Sequence, residues 1–298
     1  MLNRMLTKKT AMAVTAFASL VVIGILTTAT PASAQGKRFQ HVIDIADLQS
    51  MLTEKMSKEL MLVALEIDPE ENLGNLRSTR NLFHRRLSAL RNGDVELALP
   101  GTLDPAILDD LDKVEELWPS MDTAIKQSLQ SEKSTAEAVE VIDELGQPLL
   151  SAVDETAAAY QDLSKNSRAI FSILEIALAK AARQRMLTQK MAKEYLMIAY
   201  GHDVEANSAA LIGSIRDFDR TLKGLIAGDY DLLIMPAPTP QLQRQLRDVD
   251  RLWKEFKELM LAAANGAKPT RDAISEVASK NMALLKVTDA TVFLYKAM

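Results

Sequence analysis

The sequence predicts an all-α protein made of two tandem up-down four-helix bundles, and three observations predict it. Apolar residues recur three and four apart through long segments, as in Leu111, Val114, Leu117 and Trp118 and again in Leu246, Val249, Leu252 and Trp253. Hydrophobic residues make up 48% of the chain but aromatics only 5%, so Leu, Ala, Ile, Val and Met carry the apolar content, a balance that favours helices over strands. The sequence also matches itself at a single offset of 135 residues, without a gap, from Gln40–Leu163 onto Glu175–Met298.

Residues 1–34 read as a secretory signal peptide. Arg4, Lys8 and Lys9 precede an apolar run from Ala11 to Leu26, and Pro31-Ala32-Ser33-Ala34 gives a small-residue cleavage pattern, so the mature chain is expected to start at Gln35 in the periplasm. The alternative is an uncleaved segment that anchors the protein to the inner membrane. No second run of that kind follows. Cys is absent, so the fold must rest on its core even in an oxidising compartment. Loss of the three leading cations takes the formal net charge from -5 to -8, which argues against nucleic acid or anionic lipid as a partner.

Within the repeat, punctuation recurs at matching places and bounds each helix twice. The first helix spans about 38–67 and 173–201, closing at Asp68-Pro69 and at Gly201. A second helix begins after Asn72 or Asn207, read as N-caps, and stops at Gly93 or Gly228. The third opens with Asp104-Pro105 and Thr239-Pro240, a capping side chain followed by Pro at the first helical position. The fourth starts near Ser134–Thr135 and near Thr270. Neither Gly nor Pro occurs between Leu149 and Tyr200, so the fourth helix of the first unit is expected to run into the first helix of the second. Such a shared helix would be about 78 Å long at about 1.5 Å per residue, with Lys165-Asn166-Ser167 as its weakest point. The units are therefore 35–163 and 172–298.

Chemistry is thinly supplied. His41, His84 and His202 are scattered, and none has the Glu-x-x-His or His-Glu-x-x-His setting of a metal bundle, so no catalytic residue, metal or cofactor is expected. Asp109, Asp110, Asp112, Glu115 and Glu116 fit a solvated helix face. Met51, Met56, Met61, Met186, Met191 and Met197 fit core packing rather than a soft-metal box. Trp118 and Trp253 fit core anchors, with an aromatic wall for a ligand as the alternative.

The best-matched part of the repeat pairs Ala46–Glu59 with Ala181–Glu194, and the second copy, Ala181-Ala182-Arg183-Gln184-Arg185-Met186-Leu187-Thr188-Gln189-Lys190-Met191, resembles the box on the first helix of PilJ-type sensor domains. That family supplies the periplasmic part of type IV pilus chemotaxis transducers, and related domains form the input half of NarX-type nitrate/nitrite sensors. The resemblance implies a sensing or ligand-binding accessory, not an enzyme, with nitrate or nitrite as the leading ligand. It carries the family's anion-binding Arg onto Arg185, which is expected to face a helix–helix or chain–chain junction rather than open solvent, with its fork available to the anion. Arg183 flanks it, and Thr188 and Gln189 fall on the same helix face, able to donate further hydrogen bonds. A forked, permanently charged guanidinium suits a small planar oxyanion.

The first copy departs from the box, with Leu48 for Arg183 and Ser50 for Arg185. An anion site would then need a homodimer through the second unit, or a single Arg. No signalling domain follows the second unit, so a membrane-bound receptor or transducer is the expected partner. The alternative reading is a helical protein-interaction adaptor of the envelope or pilus machinery without a small ligand.

Overall fold

The computed structural model describes residues 32–166 and 173–298. They form α1 (Ala32–Ala64), α2 (Pro69–Asn92), α3 (Pro105–Ser131), α4 (Ala136–Asn166), α5 (Ile173–Tyr200), α6 (Val204–Ala227), α7 (Pro240–Ala264) and α8 (Arg271–Lys296). The expected signal run Ala11–Leu26 lies outside the described residues, and α1 already begins at Ala32, before the expected cleavage point. No helix among the described residues is long and apolar enough to cross a membrane.

Local chemistry sets the helix ends. Asp104 accepts from the Ala106 and Ile107 amides ahead of Pro105, and Thr239 and Thr270 cap α7 and α8 in the same manner. The start of α2 and α6 differs from the sequence expectation. Asp68 and Asp203 stand at the N-cap, and Asn72 and Asn207 lie inside the first turn. Their side-chain amides donate backward, Asn72 to the carbonyl oxygens of Ile67 and Asp68 and Asn207 to those of His202 and Asp203, tying the new helix to the turn that ends the old one. An Asn that donates to carbonyls inside a helix and one that accepts from amides at a cap look alike in sequence.

α2 and α6 stop at Gly93 and Gly228, whose φ of 86° and 89° with ψ of 158° and 150° is backbone that essentially only glycine adopts. A tight turn follows in each copy, closed by pairing of Asp94 with Leu99 and of Asp229 with Ile234. The Asp94 and Asp229 carboxylates accept from the Leu97 and Leu232 amides and are gripped by Arg85 and Arg220.

α1 packs on α2 and α4 and α3 on α4, while α5 packs on α6 and α8 and α7 on α6 and α8, so each copy is an up-down bundle; α1 and α5 lie against each other and join the two. One apolar core runs through both. Trp118 lies on Phe83 with ring centroids 4.4 Å apart, and Trp253 lies on Phe218 at 4.3 Å, so both tryptophans are core anchors, and the six methionines above are buried. Asp109, Asp112, Glu115 and Glu116 are exposed, as a solvated face requires.

The long shared helix is not formed. α4 ends at Asn166 and α5 runs back alongside it, since Arg183 reaches Asp154 at 3.7 Å and Lys190 donates to Gln147 at 3.0 Å. Packing α5 on α1 buries the polar and apolar faces of both helices, a gain that one extended helix would forgo.

Candidate functional site

α1 and α5 are parallel, which brings the two copies of the box together around a pseudo-two-fold axis. Both are buried nearly all round, because each is surrounded by two helices of its own unit and by the other. The polar residues of the box therefore have to find partners inside the protein.

Arg185 is 4% exposed. Its two terminal nitrogens each stand 3.4 Å from a carboxylate, Asp44 on α1 and Asp289 on α8. Lys296 holds the other oxygen of Asp44 at 2.5 Å. This corrects the expectation that the Arg185 fork is free: its charge is met by acids supplied partly by the other copy. Only Nε of Arg185 is buried without a partner. Ser50, at the matching position of the first copy, donates to Asp154 at 2.5 Å, and Asp154 is the repeat counterpart of Asp289. Each box position thus faces the same acid of its own fourth helix, as a guanidinium in one copy and a hydroxyl in the other.

Further along the seam Lys193 meets Glu54 at 2.9 Å, with Lys190 3.8 Å from the same carboxylate. Burial pulls the Lys193 ammonium down, but Glu54 and Glu194 outweigh it and leave its pKa raised, so this lysine stays charged. The repeat counterpart of Glu54 is Gln189, so the counterpart of Lys193, Lys58, lacks that acid. It donates to Asn281 at 3.1 Å, and burial lowers its pKa from 10.5 to about 8. Thr188 donates to the carbonyl of Arg185 and Gln189 donates to Thr188. Both polar side-chain atoms of Gln184, Nε2 and Oε1, and the side-chain oxygen of Gln189 are buried without partners.

A groove of about 330 Å³ opens beside the seam between α1, α4 and α5. Its acidic side carries Asp47, Asp154 and Ser50, its basic side Lys180 and Arg183, and Ala157, Ala179 and Ala182 leave room between them. Burial pushes Asp47 up to about 7, against the pull of Arg185, with Asp44 and Asp154 adding repulsion; it also raises Asp154. Asp47 accepts from Gln161 at 3.3 Å.

The four residues picked from the sequence fall in two places. Arg183 is half exposed on the groove wall, whereas Arg185, Thr188 and Gln189 lie inside the seam. α1 covers the box face of α5, so a homodimer through that face is not available to the chain in this arrangement. Sequence reading missed Asp44, Asp47, Glu54 and Lys193. Asp154 and Asp289 carried a signal, since they match at the repeat offset. No group of three or more metal-ligating side chains occurs among the described residues.

Residues 31–143 and 176–279 match the PilJ family, described as the N-terminal part of type IV pili methyl-accepting chemotaxis transducers. No curated protein matches the chain.

Proposed function

The chain belongs to the PilJ family in both of its units, and on that premise we propose that it is a periplasmic sensing unit that takes a small polar ligand in the groove between α1, α4 and α5 and reports it through the α1/α5 seam to a separate membrane partner. The observation that carries the reading is the seam itself. Apolar contact alone is indifferent to small slips. A seam built on Arg185, Glu54 and Lys193, with the Arg185 contacts stretched to 3.4 Å and buried polar atoms of Gln184 and Gln189 left over, has discrete polar pairings, the observed one and others that would engage those leftover atoms. A ligand that favours one of them shifts the population, by no more than its difference in affinity for the two. The groove opens directly onto both helices, so a bound molecule touches the part that moves.

A small oxyanion, nitrate or nitrite, is the finer form of this reading. Arg183 favours it, because its half-exposed guanidinium stands 3.7 Å from Asp154 and can turn its fork to a ligand. Arg185 supports it less: an anion there must compete with Asp44 and Asp289, and Nε is its only nitrogen without a partner already.

A thermal-shift screen of small polar compounds on the exported protein, with nitrate and nitrite included, tests both forms. Binding to the folded state alone stabilises it by RT ln(1 + [L]/Kd), so a true ligand gives a saturable rise in melting temperature. The rise should shrink in Arg183→Gln and persist in Ser88→Ala, an α2 control remote from the groove. Hits that exclude nitrate and nitrite would remove the oxyanion form. No saturable shift from any compound would remove ligand sensing and leave the adaptor reading.

A further inference from the structure

The two ends of the molecule are unlike. α1 starts at one of them, α4 and α8 finish there, and the turns after Gly93 and Gly228 close there. Side-chain ties fix this arrangement: His41 is 2.7 Å from the carbonyl oxygen of Leu97, Tyr160 donates to that of Leu90 at 3.1 Å, and Lys296 meets Asp44. At this end Val95, Leu103 and Tyr230 are more than nine-tenths exposed, and Leu233, Met235 and Phe293 more than half. Every large apolar side chain of the described residues that is more than half exposed lies here. The connections at the other end are built on Glu66, Asp68, Glu132, Lys133, His202 and Asp203, and exposed apolar side chains there reach only 43%, at Val204.

Single exposed apolar residues are ordinary, but their segregation to one end is not. Nor does the turn require them. Gly93 and Gly228, the Asp94 and Asp229 carboxylates and the clamps from Arg85 and Arg220 shape it. Val95 and Tyr230 occupy the same position of the two copies, touch little, and are apolar in both. The repeat has kept a water-facing apolar tip twice.

In the anchored form, with residues 1–34 retained as in the full chain, the apolar run Ala11–Leu26 leads into this same end, because the chain enters the described fold at Ala32 on α1. From that continuity we propose that this end of the double bundle sits on a lipid bilayer, with Val95, Tyr230, Leu233, Met235 and Phe293 entering its interfacial layer. Tyrosine suits that layer, since its ring is apolar and its hydroxyl reaches water. Charge does not drive the contact. The tips also carry Glu96 and Asp231, both more than four-fifths exposed, and the chain as a whole is acidic. The surface that fits is therefore zwitterionic lipid, held by apolar insertion and insensitive to salt. This inference does not depend on the groove or its ligand.

The test uses the full chain with phosphatidylcholine vesicles whose acyl chains are brominated, and reads quenching of a tryptophan placed at Tyr230→Trp or, at the opposite end, at Tyr200→Trp. The native Trp118 and Trp253 are 5% and 1% exposed inside the bundles and give a constant background. Bromolipid is expected to quench the added tryptophan of Tyr230→Trp by about two-fold and to leave Tyr200→Trp at the wild-type level, in low and high salt alike. A second variant, Val95→Trp, should behave as Tyr230→Trp. Equal quenching at both ends, or none at 230 and 95, overturns the proposal. Quenching abolished by salt overturns apolar insertion, and self-association that buries Tyr230→Trp without quenching would give the surface to a second copy instead.

Discussion

Replacing Lys58 with methionine should stabilise the protein. Lys58 is 2% exposed on α1, its ammonium meets Asn281 at 3.1 Å and the sulfur of Met282 at 3.5 Å, and the neighbouring Glu59 is engaged by Lys55. Burial lowers its pKa from 10.5 to about 8. Between those two values the unfolded chain binds the proton more fully than the folded protein, so stability must rise with pH across that window and level off above it. At about 1.4 kcal/mol per pH unit, the charged lysine costs the folded state about 3 kcal/mol at pH 7. Lys58→Met keeps an unbranched stem of similar length and removes the charge, and should recover most of that amount. Guanidinium unfolding of both proteins at pH 7 and pH 10 measures it. Tyr160, Tyr195 and Tyr295, which burial pushes up to about 12, are common to both and cancel in the difference. The variant should lead by about 3 kcal/mol at pH 7 and by about 1 kcal/mol or less at pH 10. A variant less stable than wild type at pH 7, or a lead that does not change with pH, would refute the argument that desolvated charge is the cost.

Asp47→Asn should also stabilise, with the opposite pH dependence in its acid range: the folded pKa of about 7 lies above the ordinary 3.8, so the charged form costs stability as pH rises through that interval. A gain of about 1 to 2 kcal/mol at pH 8, discounted because the carboxylate faces the open groove, should vanish at pH 4 in urea unfolding. Gly93→Ala should cost more than Gly228→Ala, though both force an unfavourable φ, because the added Cβ meets Pro100 and Leu99 backbone at 3.0 and 3.1 Å in the first case and the Pro236 ring at 3.0 Å in the second. Melting curves should place both losses within about 1 to 3 kcal/mol, in that order. Arg185→Ala should destabilise by about 3 kcal/mol, the low end for a broken buried pair because Lys296 still holds Asp44, and a loss under about 0.5 kcal/mol would show the guanidinium to be unclasped.

The fold was legible because the sequence repeats. Each boundary could be read twice, and Asp104-Pro105, Thr239-Pro240, Gly93 and Gly228 act in the structure as their chemistry prescribes. The misreadings arose where one sequence signal serves two geometries. Asn72 and Asn207 donate backward instead of capping, and the unbroken helical stretch before Tyr200 holds two antiparallel helices. At the site, the box marked the right helix but not its surroundings. Thr188 and Gln189 are spaced to share a face with Arg185, yet helical spacing cannot tell that α1 covers that face. Nor can it tell that Asp44, on the other copy, supplies the counter-charge.

That counter-charge bears on why the two units stay together. At matching positions α1 carries Asp44, Asp47 and Glu54 where α5 carries Ala179, Ala182 and Gln189, and α5 carries Arg183 and Arg185 where α1 carries Leu48 and Ser50. The two first helices have diverged into an acidic and a basic member of one pair. Two copies of α5 laid face to face would leave Arg185 without Asp44 and Lys193 without Glu54, since Ala179 and Gln189 stand at those positions. Two copies of α1 would keep a lysine, Lys58, for Glu54 but leave Asp44 with neither Arg185 nor Lys296, so each alternative buries unmatched charge at a cost of several kcal/mol. The observed pairing alone gives Arg185 to Asp44 and Lys193 to Glu54. Specificity of this kind works by penalising the alternatives as much as by rewarding the correct match. It ties the seam to a single chain, and it leaves Arg183, on the open wall of the groove, as the cation of the box that a ligand can reach without first displacing a carboxylate from the buried seam.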